Sequence, residues 1–296
     1  MRVSFARLIF VLAICLLGSS VFAQSTGTVT ITPNSPVFSG NHVIGLALDS
    51  APGFEFGSFA SDGVAKTDLY LTPEFLFGHQ VLLGEVASIS FWTKKGTTHV
   101  VDPYDWYLNT YTKKYPSQTV SFYGARLNTE PYFAENTIET ANSWNKWSSE
   151  GPKNELRFFE STYGYFGSSS DLHWSNFVQG MSLAGSHGTS VPYATQPILF
   201  WSVQTGSGGA LGFHGQVDGL RINLIDGSWR KINFEPFLVP DDKRLCKNGG
   251  YTAYRRPDGS SFKNQGQCVA YVESHENDRD RDHDHDRESN HEHRDR

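Results

Sequence analysis

The sequence predicts an all-β chain: a two-sheet antiparallel β-sandwich, in the jelly-roll manner, followed by a small disulfide-closed segment and a disordered charged tail. Three observations carry this reading. Short segments alternate apolar and polar residues and are broken by Gly, Pro, Asn and Asp, and alternation with period two is the pattern of a strand that buries one face. No window of a dozen residues holds a convincing helical period of 3.6. Near the C-terminus Cys246 and Cys268 bracket a glycine-rich polar loop, and from Glu273 onward no apolar residue occurs.

Taken in chain order, Arg2 and Arg7 precede the apolar run Leu8 to Leu17, and Val21-Phe22-Ala23 offers small residues where a signal peptidase reads. Residues 1–23 are therefore expected to be a secretory signal peptide. A membrane span needs roughly 20 apolar residues, about twice this run. Cys15 lies inside the run behind Ile14, which argues against a lipid attachment site. Export, secreted or periplasmic, means oxidising conditions, under which Cys246 and Cys268, the sole cysteines left after cleavage, are expected to pair. Closing a loop of about 22 residues contributes roughly 3 kcal/mol through the unfolded state.

Residues 24–240 are expected to form the sandwich, with strands at Val29–Ile31, Val43–Leu48, Val81–Trp92, Thr119–Leu127, Leu156–Glu160, Ile198–Gln204, Gln216–Ile225 and Trp229–Phe237. Many short strands at irregular spacing favour a sandwich or jelly roll over a barrel. Val217, Leu220, Ile222 and Leu224 belong to the closing strands, and alternation sets the last three on one buried face. Residues 241–272 form the disulfide-closed segment. Residues 273–296 hold 10 Asp/Glu and 5 Arg, a net −5, and with no apolar residue they cannot support a core and are expected to be disordered. The whole chain carries a formal −6, which becomes −8 without Arg2 and Arg7. The folded part is thus near neutral, which excludes a nucleic acid or an anionic membrane as the expected partner. Nothing in the sequence indicates the oligomeric state.

Phe213-His-Gly-Gln-Val-Asp218-Gly-Leu-Arg-Ile222 resembles the closing strand of concanavalin-A-like and laminin-G-like jelly rolls, in which an apolar residue, a Gly and an Ile/Val-Asp pair precede an alternating strand. Cys246-Lys-Asn-Gly-Gly with Phe262-Lys-Asn-Gln-Gly-Gln-Cys268-Val resembles a short segment near the C-terminus of uncharacterised secreted bacterial proteins. That segment usually has Trp where this chain has Tyr251, and Arg255-Arg-Pro-Asp-Gly lengthens its loop. The second resemblance implies bacterial origin and export, and no activity comes with it.

No catalytic residues are assigned. Concanavalin-like glycosidases set acids at alternate positions of one strand so that they point into one cleft, and no Glu-x-Asp-x-Glu occurs here. Glu85, Glu160, Asp218 and Glu235 each stand alone in their strands, and His79, His99, His173, His187 and His214 are scattered singly. Gly-x-Ser-x-Gly, His-Glu-x-x-His and P-loop motifs are missing too.

Binding has more support. Tyr104, Asp105, Trp106 and Tyr107 set aromatic faces beside carboxylates, and Trp144 and Trp147 sit among Asn142, Asn145 and Lys146. Rings take the CH faces of a sugar while acid oxygens take its hydroxyls. The plainer reading makes Trp106 and Trp147 core residues. The resemblance to laminin-G-like and lectin-like jelly rolls implies a calcium ion at a loop rim, for which Asp62, Asp68, Asp102 and Asp105 are candidate donors. In the tail, His283, His285, His291 and His293 alternate with acids and are candidate ligands for a transition metal, against a plain solvated polyampholyte. The expected function is therefore a secreted module that binds carbohydrate, a glycan or cell-surface polymer, or another extracellular surface ligand. The alternatives are a polysaccharide hydrolase or lyase whose carboxylates converge from separate strands, and a structural envelope protein.

Overall fold

The computed structural model describes residues 25–37, 45–112, 126–160, 172–179, 193–206, 212–256 and 258–274. The expected signal peptide, most of the expected strand at 119–127, His187 and the tail histidines His283, His285, His291 and His293 lie outside the described residues. Within them the chain is a β-sandwich of two sheets.

The strands are β1 (Thr26–Ile31), β2 (Gly45–Ala47), β3 (Ser58–Ala60), β4 (Asp68–Leu71), β5 (Val86–Lys95), β6 (Tyr107–Thr112), β7 (Arg126–Thr129), β8 (Asn145–Ser148), β9 (Phe159–Glu160), β10 (Ile198–Gln204), β11 (Gly215–Leu224) and β12 (Trp229–Phe234). Short helices α1 (Pro73–Phe77) and α2 (Trp174–Val178) lie between strands, and a third, α3, spans 265–274. The first sheet has β11 at its centre: β5 runs along one edge, while the other edge is shared by β12 and β3. β1 adds to β12 in parallel, and β8 and β2 complete the sheet. The second sheet is antiparallel throughout, in the order β4-β10-β6-β7-β9.

The inward faces make one core. Phe59, Ile89, Phe91, Trp147, Val217, Leu220, Ile222, Ile232 and Phe234 of the first sheet meet Leu69, Leu71, Leu108, Leu127, Trp201 and Val203 of the second. Simple alternation places Val217 opposite in phase to Leu220, yet all of Val217, Leu220 and Ile222 are 0 % exposed. The reason is a bulge: β11 spends three steps from Asp218 to Arg221 where β5 spends two from Trp92 to Ser90. Gly219 takes φ +66° there, and a Cβ at that position would strike the rings of Phe54 and Trp92. The bulge sits where β3 hands the edge to β12, and an irregular ladder leaves amides that need partners. Asp218 supplies them: Oδ1 accepts from the N–H of Gly219 at 2.7 Å and of Phe234 at 3.1 Å, and Oδ2 from that of Ala51 at 3.0 Å.

Several boundaries differ from expectation. β5 begins at Val86, because Leu83–Glu85 form a 3-10 turn in which the Glu85 carboxylate accepts the Leu82 N–H at 2.7 Å. β3, β4, β6 and β8 were not foreseen, and the segment around Asp102–Tyr107 leads directly into β6 at the centre of the second sheet.

The C-terminal segment has its own small core of Cys246, Phe262, Cys268 and Val272, against which Tyr251, Tyr254 and Tyr271 pack. Cys246 and Cys268 are disulfide-bonded with Cα atoms 5.6 Å apart, within the span such a bridge allows. α3 carries Cys268 and Val272 one turn apart on its buried side, and Asn264 caps it by accepting the Gln267 N–H at 2.9 Å. The segment is stitched to the sandwich where Leu238 bridges Tyr254 and accepts the Arg255 N–H at 2.9 Å.

Candidate functional site

The two aromatic groups singled out in the sequence converge, but inside the molecule. Trp106 and Trp147 are both 0 % exposed. The Trp106 indole N–H donates to the Gly215 carbonyl at 2.8 Å, and that of Trp147 to Thr93 Oγ1 at 2.7 Å. Neither presents a ring to solvent, so neither serves as a stacking platform: an indole whose N–H finds a partner in the interior is a core residue. Trp144 is half-buried and Tyr104 exposed.

Asp105 is buried with them. Its carboxylate accepts from the Trp106 N–H at 2.7 Å and the Thr93 hydroxyl at 3.1 Å, and lies 3.9 Å from the buried Lys95 ammonium. Burial pushes its acid up to about 7, against the pull of Lys95. Lys95 Nζ donates to the carbonyls of Asp102 and Tyr104 at 2.6 and 2.9 Å and stands 3.8 Å from Glu139, which in turn accepts from the N–H and ring of His99. This network ties the 96–106 loop to the core. Asp102 is turned to the Tyr104 N–H at 2.9 Å, and Asp62 to those of Val64 and Ala65. The expected calcium donors therefore do not share a site, and among the described residues no group of three His, Cys, Asp or Glu side chains is placed to hold a metal. His99 and His173 are not isolated either: His173 Nδ1 lies 2.5 Å from Glu155, beside the buried Arg157.

Of the predicted residues, Tyr107 and Asp68 lead to the better candidate: Gln204 pairs with both. Tyr107 opens β6 on the outward face of the second sheet, where cross-strand register aligns three rows. The middle row is Tyr70, Ser202, Asn109, Asn128 and Phe159, one from each strand. Asp68, Gln204 and Tyr107 flank it on one side, and Phe200, Tyr111 and Arg126 on the other. Tyr111 and Phe159 are 2 % exposed yet belong to no part of the core cluster between the sheets.

The polar groups of this face are unusual. Asp68 Oδ1, Asn109 Oδ1, Asn128 Oδ1, Ser202 Oγ and Gln204 Nε2 are buried and have no hydrogen-bond partner among the described residues. Each such orphan costs about 1–3 kcal/mol. The rim is half-open: Asp68, Tyr70, Tyr107, Arg126, Glu130 and Phe200 are all partly exposed. The Phe200 ring packs on Tyr70 and Tyr111 with centroids 4.7 and 4.4 Å away. Burial lifts the Tyr107 phenol well above its ordinary range, with Glu130 and Asp68 pushing the same way, so it stays a neutral O–H donor. Burial also raises Glu130. The face can thus offer aromatic surface, amide and hydroxyl groups, carboxyls and a guanidinium to one ligand.

No protein-family model, curated protein or solved structure matches this chain. What the face does must be read from its own chemistry.

This face was missed in the sequence because its residues come from five strands, Tyr-Leu-Asn-Thr-Tyr-Thr of β6 being the longest local trace. The one available signal was polar alternation, Asn109 beside Tyr107 and Tyr111, in a segment whose intervening Leu108 marks the core side.

Proposed function

We propose that the chain is an exported β-sandwich module that binds carbohydrate on the outward face of its second sheet. The observation that carries the reading is the row of orphaned polar atoms, Asn109, Asn128, Ser202, Gln204 and Asp68, between aromatic rings. Sugars combine dense hydroxyl groups, each both donor and acceptor, with apolar CH faces. Amide and hydroxyl oxygens in a row match such hydroxyls, and the half-open rings of Tyr70 and Phe200, the latter backed by Tyr111, match the faces. Arg126 extends the match to acidic sugars through its planar fork of donors. Export rests on the Arg2–Ala23 segment and agrees with the Cys246–Cys268 bridge. No helix among the described residues is long and apolar enough to cross a membrane.

A glycan array probed with the mature protein, with and without calcium, tests binding. Selective retention of a glycan class is expected in both conditions, and a blank array contradicts the reading. N-terminal sequencing of the exported chain tests the leader, with Gln24 expected as the first residue. A second reading, a polysaccharide hydrolase, is favoured by Asp68 and Glu130 both flanking Tyr107. Release of reducing ends from the retained glycan, lost in Glu130→Gln, would decide for it.

A further inference from the structure

The seam between the sandwich and the disulfide-closed segment holds a cleft of about 430 Å³. β12 enters it with its outward residues: Lys231, Asn233 and then Glu235 line the cleft, opposite Thr28 and Thr30 of β1. Phe54, Phe56, Phe237 and Tyr254 supply aromatic walls.

Glu235 is 2 % exposed and Asn233 8 %. The Asn233 amide nitrogen donates to Glu235 Oε1. That leaves Glu235 Oε2 and Asn233 Oδ1 buried with no partner among the described residues. Two exposed acids, Glu55 and Asp241, line the same cleft. The cation there, Lys231, is turned aside, its ammonium held by the Gly53 carbonyl and lying 4.2 Å from the Phe54 ring centroid. Three carboxyl groups thus face one ammonium that is already engaged. Burial, with Asp218 and Glu55 adding to it, pushes Glu235 up to about 9, the response of a carboxylate that lacks a counter-charge.

We propose that this cleft is a second ligand site, distinct from the glycan-binding face, and that it takes an organic cation bearing N–H donors on a short apolar stem, a primary ammonium above all. The orphaned oxygens accept N–H groups, the carboxyls supply counter-charge, and the aromatic walls favour a cation with an alkyl arm. A bare metal ion is disfavoured, because no three carboxylates or imidazoles converge among the described residues. A neutral polyol would fill the oxygens without supplying the positive charge that draws the proton from Glu235.

Calorimetric titration of the mature protein with cadaverine tests the site, with pentan-1-ol as uncharged control and choline as a cation without N–H donors. Saturable cadaverine binding is expected, with choline at least tenfold weaker and no saturation by pentan-1-ol. Glu235→Gln should weaken cadaverine about tenfold to a hundredfold, the loss of one charge-assisted hydrogen bond. Glu55→Gln and Asp241→Asn, at exposed positions, should each weaken it several-fold and keep the probe informative if Glu235→Gln fails to fold. An Asn109→Ala/Asn128→Ala variant should bind cadaverine like the parent. Absence of saturation, equal binding of pentan-1-ol, or parental affinity in the carboxyl variants overturns the proposal.

Discussion

The outward faces of the two sheets are built from similar polar residues and treat them differently. On the first sheet the polar groups are answered: Arg221 Nε donates to Asn223 Oδ1 at 2.9 Å, Asn223 Nδ2 to Ser88 Oγ at 2.8 Å, and the Arg221 guanidinium lies 4.8 Å from the Trp229 ring centroid. Lys94 pairs with Asp49 at 2.6 Å. On the second sheet Asn109, Asn128, Ser202 and Gln204 are more deeply buried, at 7 % exposure or less, and each keeps an atom unanswered. Buried polar atoms are normally satisfied. A face that leaves several unsatisfied has given up stability there, and such sites are where function is sought. Among the described residues of the first sheet the same signature appears only at the seam, in Asn233 and Glu235.

Four changes probe this contrast, in falling order of expected effect. Trp106 and Tyr107 are neighbours on opposite sides of the second sheet. Trp106→Ala should cost about 3–5 kcal/mol in urea unfolding, as a buried core aromatic does, while Tyr107→Phe should leave the midpoint nearly unchanged and weaken glycan retention. Comparable destabilisation by both would erase the distinction between the faces. Asp218→Ala removes the acceptor for three backbone N–H groups at the bulge and should cost about 3 kcal/mol, seen as a lowered melting temperature. A loss under about 0.5 kcal/mol would show that the bulge does not depend on it.

The third change is in pH. Burial raises Asp218 and Asp105 to about 7 and Glu235 to about 9. The native state therefore holds protons that the unfolded chain has released, so stability should fall as pH rises from about 4 to 9. Glu235→Gln should abolish the limb between about pH 7 and 9 and reduce the slope between about pH 4 and 7 by roughly a third, one of three groups being removed. An unchanged slope in that variant would remove Glu235 from the account. The smallest effect belongs to Arg221→Ala, on the answered face: within about 0.5–1 kcal/mol in stability and none in glycan retention.

Much of this fold was legible because its signals are local. β11 and β12 alternate over ten and six residues, and the burial of Leu220, Ile222 and Leu224 follows from period two. The Cys246–Cys268 bridge followed from cysteine count and the expected export. The bulge was not foreseen, because Val217-Asp218-Gly219 reads as uninterrupted strand until a partner is set beside it. β6 was missed because Tyr and Asn line its outward face and Thr most of its inward one, which leaves Leu108 alone to mark the apolar side. α3 was missed because ten residues give a helical period too little room to show. The candidate face was illegible for a further reason: a face assembled from five strands leaves no more than three of its residues in any one of them. Trp106 and Trp147 misled because an aromatic beside a carboxylate reads the same at a rim as in a core, and only burial tells the two apart.

The central claim is that the orphaned amides of the second sheet are reserved for a ligand. Its most direct test is the glycan array repeated with Asn109→Ala/Asn128→Ala beside the parent, with thermal melts of both. The account predicts that the parent retains a glycan class and the variant loses it, while the variant melts at or above the parent temperature, since truncation removes two orphaned oxygens and breaks no side-chain hydrogen bond among the described residues. Parental glycan retention in the variant, or a melting temperature many degrees lower, would contradict it.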